Sequence, residues 1–531
     1  MSAPNILLLM ADQLAAPALP FHGHRVVRTP ALSALASRSV IFNAAYCNFP
    51  ICAPSRYSML SGRLPHAIDA FDNACEMPAE LPTMAHYLGA AGYRTILAGK
   101  MHFVGPDQLH GFDERLTTDI YPADFLWVPD WSQGPANKPT GVGMGHVVDA
   151  GPSLRNMQID YDEEVGHVAV QKLYDIARNP DGQPFFMTVS FTHPHPPFVA
   201  PQEHWDAYSD DEIDPPSVPE IPYEQLDPHS QWLYLAHGQD RHTITPAHVR
   251  RARRAYYAMA SYVDGKIGQV LGALERAGLA GNTVVVFCAD HGEMMGERGM
   301  WFKQTFYEWS ARVPLLVSWP GVAATGGCAE VCSLVDLLPT LLDVAAEGGA
   351  RRVEPVEPLD GRSLLPLLRD PDACGEGEAI SEYSSEGVCA PSRMVRRGPW
   401  KYIYTRGLPP LLFHLEHDPQ ELRNVAGHAE YADVQQELHA RATRDWDPDA
   451  VHARILLSQR RRLFLKAESQ RKGRWPAWTY EARAGDASRF VRPAVAGGPV
   501  GPKPRARFPF VQPTPPDRPP SSPRDDTGDK R

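Results

Sequence analysis

The chain has 531 residues and carries 52 Lys and Arg against 63 Asp and Glu, a net charge of −11. With 43% apolar and 22% charged residues it has an ordinary globular balance, which excludes wholesale disorder and allows a large core spread over roughly two to four domains. The acidic balance excludes a nucleic-acid binder working through clustered Lys and Arg, and no stretch approaches the ~20 apolar residues of a membrane span.

Met1-Ser2-Ala3-Pro4-Asn5 has no basic residue, and the run Ile6 to Met10 is too short for a signal core, so a cytoplasmic protein is expected. The eight cysteines (47, 52, 75, 288, 328, 332, 374, 389) are few and irregularly spaced. Several lie in apolar runs, which predicts buried, reduced thiols, and Cys328 with Cys332 lacks the CxxC spacing of a zinc site.

In chain order, short apolar runs alternate with amphipathic stretches, the pattern of a mostly parallel α/β sheet flanked by helices. Asn5–Met10 reads as a buried strand. Thr95–Ala98 follows the helix-like Met84–Ala91 and the turn at Gly92. Phe185–Phe191 is a third strand. A long helical segment, about Ala247 to Ala277, precedes a fourth at Val284–Cys288, and Val313–Ser318 is a fifth, stopped by Pro320-Gly321.

Four of these strands run into chemistry: Asp12-Gln13, Lys100 and His102, His193-Pro194-His195, and Asp290-His291-Gly292. Ligands of open α/β sheets bind beyond the carboxyl ends of the strands. Each loop alone reads as an ordinary polar turn; four together read as a site.

After a weaker boundary near 345–375, strand-like runs at Met394–Val395, Trp400–Tyr404 and Leu411–Leu415 predict a small antiparallel sheet, with a helix at Tyr431–Arg444 packed on it. The expected organisation is a catalytic unit over 1–375, an α+β unit over 376–445, a helical extension over 446–490 and a disordered tail over 491–531. That tail holds 11 of the 52 prolines and almost no aliphatic periodicity. It is net +4, which leaves the preceding residues at −15.

The most specific segment is Cys52-Ala53-Pro54-Ser55-Arg56, followed by Gly62-Arg63. C-x-P-S-R with this Gly-Arg resembles the signature of the sulfatase family, in the alkaline-phosphatase-like superfamily. The opening Pro4-Asn5-Ile6-Leu7 with Asp12, Lys100-Met101-His102, Thr192-His193-Pro194-His195, and Ala289-Asp290-His291-Gly292 with Lys303 resemble further family motifs, so the likeness spans about residues 4–445. A closer resemblance, to choline-sulfatases, runs through Lys100 to Phe112 and Glu114 to Phe125. Gln13, His291 and Glu382-Tyr383-Ser384-Ser385-Glu386 share it.

The resemblance implies hydrolysis of a sulfate ester by a cysteine converted to formylglycine. The aldehyde hydrate offers two hydroxyls on one carbon, one to attack sulfur and one whose deprotonation releases sulfate. A divalent ion on Asp12, Cys52, Asp290 and His291 would polarise the sulfate oxygens. Hard oxygen ligands favour Ca²⁺, and the imidazole makes Mn²⁺ its rival. Arg56 would hold the hydrate and a sulfate oxygen, at the N-terminus of a helix starting near Ser55. His102 with Lys100 would be the base, and His195 and Lys303 would stabilise or protonate the leaving alkoxide. His193 is read as a neighbour rather than a participant.

Asn73 matches a choline-sulfatase position near the sulfate, and at the other end of the substrate Trp127, Glu386 and Phe490 match choline-sulfatase cage positions. A quaternary ammonium cannot donate hydrogen bonds, so aromatic faces and a carboxylate should recognise it. One departure stands out. Ser132-Gln133-Gly134-Pro135-Ala136-Asn137-Lys138-Pro139 replaces an aromatic Tyr-His-Asn stretch, and the nearest His is His146. The resemblance also implies a homo-oligomer, dimer or tetramer, with the extension at its contacts, and a formylglycine-generating enzyme as maturation partner. Two other readings stay open here: hydrolysis of another sulfate, phosphonate or phosphate ester, and a non-catalytic anion- or metal-binding protein whose Cys52 remains a thiol.

Overall fold

The structure, a computed structural model, describes residues 3–136, 139, 142–373 and 375–481. An eight-stranded sheet in the order β10-β2-β9-β8-β1-β6-β3-β4 forms the centre. Its strands are β1 (Asn5–Ala11), β2 (Val40–Tyr46), β3 (Arg94–Gly99), β4 (Glu114–Arg115), β6 (Phe185–Ser190), β8 (Thr283–Ala289), β9 (Leu315–Ser318) and β10 (Gly326–Ser333). Two short strands, β5 (Gly151–Ser153) and β7 (Val199–Pro201), pair separately.

The predicted fold class is observed: β8, β1, β6 and β3 are all parallel neighbours, and β9 alone runs antiparallel, against β8 and β2. Every residue of β1, β6 and β8 is buried, because helices cover both faces. Such strands read as unbroken apolar runs, which is why they were visible in the sequence.

Six strands escape the apolar-run reading: β2, β10, β4, the short β5 and β7, and β11 (Glu378–Tyr383). The first two alternate buried with exposed or half-buried residues near the sheet edge. The helix Met157–Arg178, packed against the helix Pro246–Arg276, was also missed.

A second sheet, β11-β12-β13-β14, is antiparallel throughout, with β12 (Ser392–Arg397), β13 (Trp400–Thr405) and β14 (Leu411–His414). The helix Ala432–Thr443 packs on β12 and β13. A buried ion cluster ties this sheet to the first unit. Lys401 of β13, fully buried, donates to Phe306 O at 2.8 Å, Glu308 Oε1 at 2.6 Å and Glu421 Oε1 at 2.6 Å. The helix Pro448–Lys472 follows.

All seven described cysteines are free thiols, and all but Cys389 are buried. No described helix is long and apolar enough to cross a membrane. Residues 491–531, expected as a tail, lie outside the described residues.

Candidate active site

The carboxyl ends of β8, β1, β6 and β3 lie side by side, and their loops converge. Gly99 shows how tightly. Its φ is +99°, and an added Cβ would stand 2.0 Å from the Ser190 carbonyl oxygen, so only glycine lets β3 close on β6 where the chain turns to Lys100.

Asp12, Cys52, Asp290 and His291 are all buried, and one ligand atom from each lies within 4.8 Å of the others. The Cys52 Sγ sits 3.3 Å from His291 Nε2 and 3.8 Å from Asp12 Oδ1. His291 Nδ1 lies 3.1 Å from the Gly292 carbonyl, which leaves Nε2 facing the cluster. Two carboxylates and one imidazole beside residue 52 suit a divalent cation that accepts mixed oxygen and nitrogen donors.

The Cys52 helix begins at Cys52 itself, three residues earlier than expected, and runs to Ser61. Its N-cap Ile51 has no capping side chain. Asn73 supplies the missing acceptor from another segment, its Oδ1 taking the Ala53 N–H at 2.9 Å. Residue 52 thus occupies the first helical position, where the dipole favours anions.

Three buried cations surround this point. Arg56 donates through Nε to Asp290 Oδ2 at 2.8 Å and through Nη1 to Lys100 O at 2.7 Å and Ser190 Oγ at 2.9 Å. Its Nη2, 3.7 Å from Asp12 Oδ2, has no hydrogen-bond partner among the described residues. A buried guanidinium donor left open beside the cluster suits an oxyanion.

Lys100 Nζ is paired with Asp12 Oδ2 and lies 4.1 Å from the centre of the Tyr121 ring. Lys303 Nζ is 3.3 Å from the Cys52 Sγ and donates to Gln13 Oε1 at 2.6 Å. Burial by itself would raise the Cys52 thiol. Lys100, Lys303 and His291 outweigh it and hold the thiol well below its ordinary range. The site therefore favours negative charge at residue 52.

Gln13 is held by Glu293. Its amide N–H₂ donates to Glu293 Oε2, and Glu293 Oε1 also accepts the backbone N–H of Met295 at 3.1 Å and of Phe302 at 2.5 Å. Burial pushes the Glu293 carboxyl up to about 7 against these donors. One carboxylate thus closes the loop that carries Lys303 and turns the Gln13 oxygen toward the lysine.

Tyr121 joins the remaining predicted groups. His102 stacks on its ring, with centroids 4.7 Å apart, and its hydroxyl lies 3.3 Å from the His195 ring nitrogens. Burial lowers the His102 pKa, which favours the neutral imidazole, the form a general base needs. The His195 loop is set by Asp162, which accepts the N–H groups of Thr192 and His193 and faces His193 Nδ1 at 2.6 Å. His193 is thereby engaged away from the cluster.

Trp127 packs edge-on against both His102, at 5.7 Å, and Tyr121, at 5.1 Å. Glu386 accepts from Gln304, the residue after Lys303, at 3.2 Å and from Ser385 Oγ at 2.5 Å. Burial raises its carboxyl above the ordinary range. His237 Nε2 bonds the other side of Gln304 at 2.6 Å. His146 sits against Phe302, with centroids 6.4 Å apart. Phe490 lies outside the described residues.

Every other predicted site residue belongs to this one connected network. Tyr121, Glu293, Gln304 and His237 are additions. Tyr121 had a signal in Thr118-Asp119-Ile120-Tyr121, and Glu293 directly follows the motif residues Asp290-His291-Gly292; Gln304 and His237 are polar residues in apolar surroundings with no spacing to mark them.

Comparison with known proteins follows the same ground. The sulfatase family pattern matches residues 4–347, and the pattern of the N-sulphoglucosamine sulphohydrolase C-terminal family matches residues 296–446. The chain is 42% identical over 498 residues to a choline-sulfatase of Rhizobium meliloti, covering 92% of this chain and 96% of the relative. It is 31% identical over 450 residues to arylsulfatase K of Gallus gallus, covering 80% and 79%. Among solved structures, it resembles a phosphonate monoester hydrolase of Agrobacterium radiobacter with a TM-score of 0.64 at 24% identity, covering 85% and 96% of the two chains.

Proposed function

The chain belongs to the sulfatase family of sulfuric ester hydrolases, and we propose that the ester it cleaves is choline sulfate, releasing choline and sulfate. The observation that carries this reading is the asymmetry of the site. Arg56, Lys100 and Lys303 crowd one end around residue 52. At the other end Trp127 offers an aromatic face and Glu386 a buried carboxylate. A zwitterion with a sulfate head and a quaternary ammonium tail complements both ends. The similarity to a choline-sulfatase along most of the chain supports the same choice.

A divalent cation, Ca²⁺ in this reading with Mn²⁺ as the alternative, would be held by Asp12, Asp290, His291 and residue 52, and together with an aldehyde installed at Cys52 it would supply electrophilic activation and a nucleophilic hydroxyl. The chain's own residues do the rest. Arg56 and Lys100 hold sulfate oxygens. His102, neutral and backed by Tyr121, takes a proton from residue 52. Lys303 and His195 meet the charge that develops on the departing alkoxide. Trp127, Asn73, Glu386 and, from the extension, Phe490 hold the substrate. A homo-oligomer, a cytoplasmic location and maturation by a formylglycine-generating enzyme complete the reading, with the division at 375, 445 and 490.

The test is kcat/KM for choline sulfate, an aryl sulfate and a phosphonate monoester on the same preparation. A choline sulfate preference of less than about tenfold over either rival would overturn the substrate assignment. Mass spectrometry of the peptide spanning residues 38–56, from protein made in its own host, should show the aldehyde. An unmodified thiol there would reject the nucleophile.

A further inference from the structure

The helix Pro448–Lys472 lies outside both family patterns, which end at residues 347 and 446, and nothing in the chemistry above uses it. It nevertheless grips two segments of the site, the turn that caps the Cys52 helix and the loop that carries Trp127. On one side Arg462 forks onto the buried Asp72, Nη1 to Oδ1 at 2.5 Å and Nη2 to Oδ2 at 2.7 Å. Asp72 precedes Asn73, whose side chain caps the Cys52 helix. On the other side Gln459 Oε1 accepts the Trp131 backbone N–H at 3.1 Å, and Lys466 Nζ donates to the Leu126 carbonyl at 2.7 Å. These two contacts bracket Trp127. The hold continues inward: the Trp131 indole N–H donates to Ser385 O at 2.9 Å, and Ser385 Oγ donates to Glu386 Oε2 at 2.5 Å.

From this we propose that the helix Pro448–Lys472 is the positioning element of the alcohol side of the site, with Gln459 and Lys466 setting where Trp127 and, through Trp131 and Ser385, Glu386 stand, while Arg462 anchors the helix to the Asp72–Asn73 turn at the residue-52 end. The three residues touch no reacting atom in this reading; they act through the loops they hold. A bidentate guanidinium–carboxylate pair fixes orientation as well as distance, and a cage for a quaternary ammonium depends on ring placement because it has no directional hydrogen bond to correct an error. The proposal rests on the choline sulfate reading and extends it to residues outside the family patterns.

The test compares two full-length variants with wild type. Gln459→Leu with Lys466→Met releases the Trp127 loop. Arg462→Met with Asp72→Asn releases the Asn73 turn without stranding a buried charge. Arg461→Ala, on the exposed face of the same helix, is the control. The expected result for the first variant is a fall of at least about tenfold in kcat/KM for choline sulfate, carried mainly by KM, with less than about threefold change for 4-nitrophenyl sulfate and an unchanged control.

An equal loss on both substrates in the first variant marks a merely structural role and overturns the proposal, as does an unchanged KM for choline sulfate in that variant. The second variant, which acts at the residue-52 end, should lose on both esters alike, and a loss confined to choline sulfate there would overturn the division of roles. Failure of the choline reading shows separately, in wild type. The proposal is then judged on the alkyl sulfate that wild type prefers, by the same ratio to 4-nitrophenyl sulfate.

Discussion

Glu293 offers the sharpest test of how Lys303 is used. All three of its hydrogen-bond partners are donors: Gln13 Nε2 on one oxygen, and the N–H groups of Met295 and Phe302 on the other. In Glu293→Gln, one end of the side chain becomes a donor. If the new N–H₂ faces Met295 and Phe302, donors oppose donors where the loop closes. If it faces Gln13, the Gln13 amide must flip and present its own N–H₂ to Lys303, 2.6 Å from where its oxygen now accepts.

Either way one buried group is left unsatisfied, a cost of about 1–3 kcal/mol. Where that cost falls on the placement of Lys303, it is roughly 5–150-fold in rate. The assay is kcat against leaving-group basicity. An alkyl sulfate needs its alkoxide stabilised as it departs, and a nitrophenyl sulfate needs little help. The alkyl ester should therefore lose far more than the nitrophenyl ester, and Lys303→Ala should show the same selectivity. Equal losses on both esters, or selectivity in Lys303→Ala that Glu293→Gln lacks, would refute the link between Glu293 and the lysine.

Other perturbations read other parts of the structure. Trp127→Ala removes a face worth about 1–2 kcal/mol to a desolvated cation, so KM for choline sulfate should rise roughly 5–30-fold with little change for an aryl sulfate. Prolonged chelation should abolish activity and lower the melting temperature, because Asp12 and Asp290 then face each other without the cation their geometry suits; calorimetry with added Ca²⁺ or Mn²⁺ reads which ion restores both. Lys401→Met strands Glu421, at a cost of about 3–5 kcal/mol by denaturant unfolding.

The pH dependence of that loss has a definite sign. In wild type, burial acts to raise the Glu308 carboxyl, but Lys401 and Arg312 hold it down at about 2. Its contribution to stability is therefore present above its ordinary 4.5 and lost as pH falls through 2. Glu421 is raised by burial even with Lys401 present. Without the lysine it stays protonated to higher pH in the folded state, so the variant should gain stability relative to wild type as pH falls from 8 to 5.

What could be read from the residues followed their physical environment. β1, β6 and β8 are covered on both faces, so their sequences are apolar without interruption, and the chemistry at their carboxyl ends stood out by contrast. β2 and β10 alternate or carry small residues and pair with each other from far apart in the chain, and β11 mixes charge with apolar residues. In the site, Cys52, Arg56, Lys100, His102 and Lys303 sit in fixed local patterns.

The contacts of Glu293 with Gln13 and of Gln304 with Glu386 join residues 280 and 82 positions apart, and no local spacing encodes such a contact. The missing Tyr-His-Asn stretch is a similar case. His237 reaches Gln304 from the helix Pro228–His237, and His146 reaches Phe302. These two imidazoles arrive by tertiary packing rather than through a motif.

The charge balance bears on what kind of sulfate ester this site can accept. The chain before residue 491 is net −15, so its long-range field does not draw in a polyanion such as a sulfated polysaccharide. The cations that meet sulfate are inside: Arg56, Lys100 and Lys303 are all buried, and Asp12, Asp290 and Gln13 already engage them. Their effect is confined to the pocket, where low dielectric strengthens it. A substrate with no net charge pays nothing to approach such a body and gains at both ends once inside, through sulfate at the cations and ammonium at Glu386. Substrate selection by this arrangement therefore operates within the pocket, and it should show little dependence on ionic strength. If kcat/KM for choline sulfate falls steeply as salt rises from 20 to 300 mM, an exposed charged surface is guiding the substrate and this argument fails.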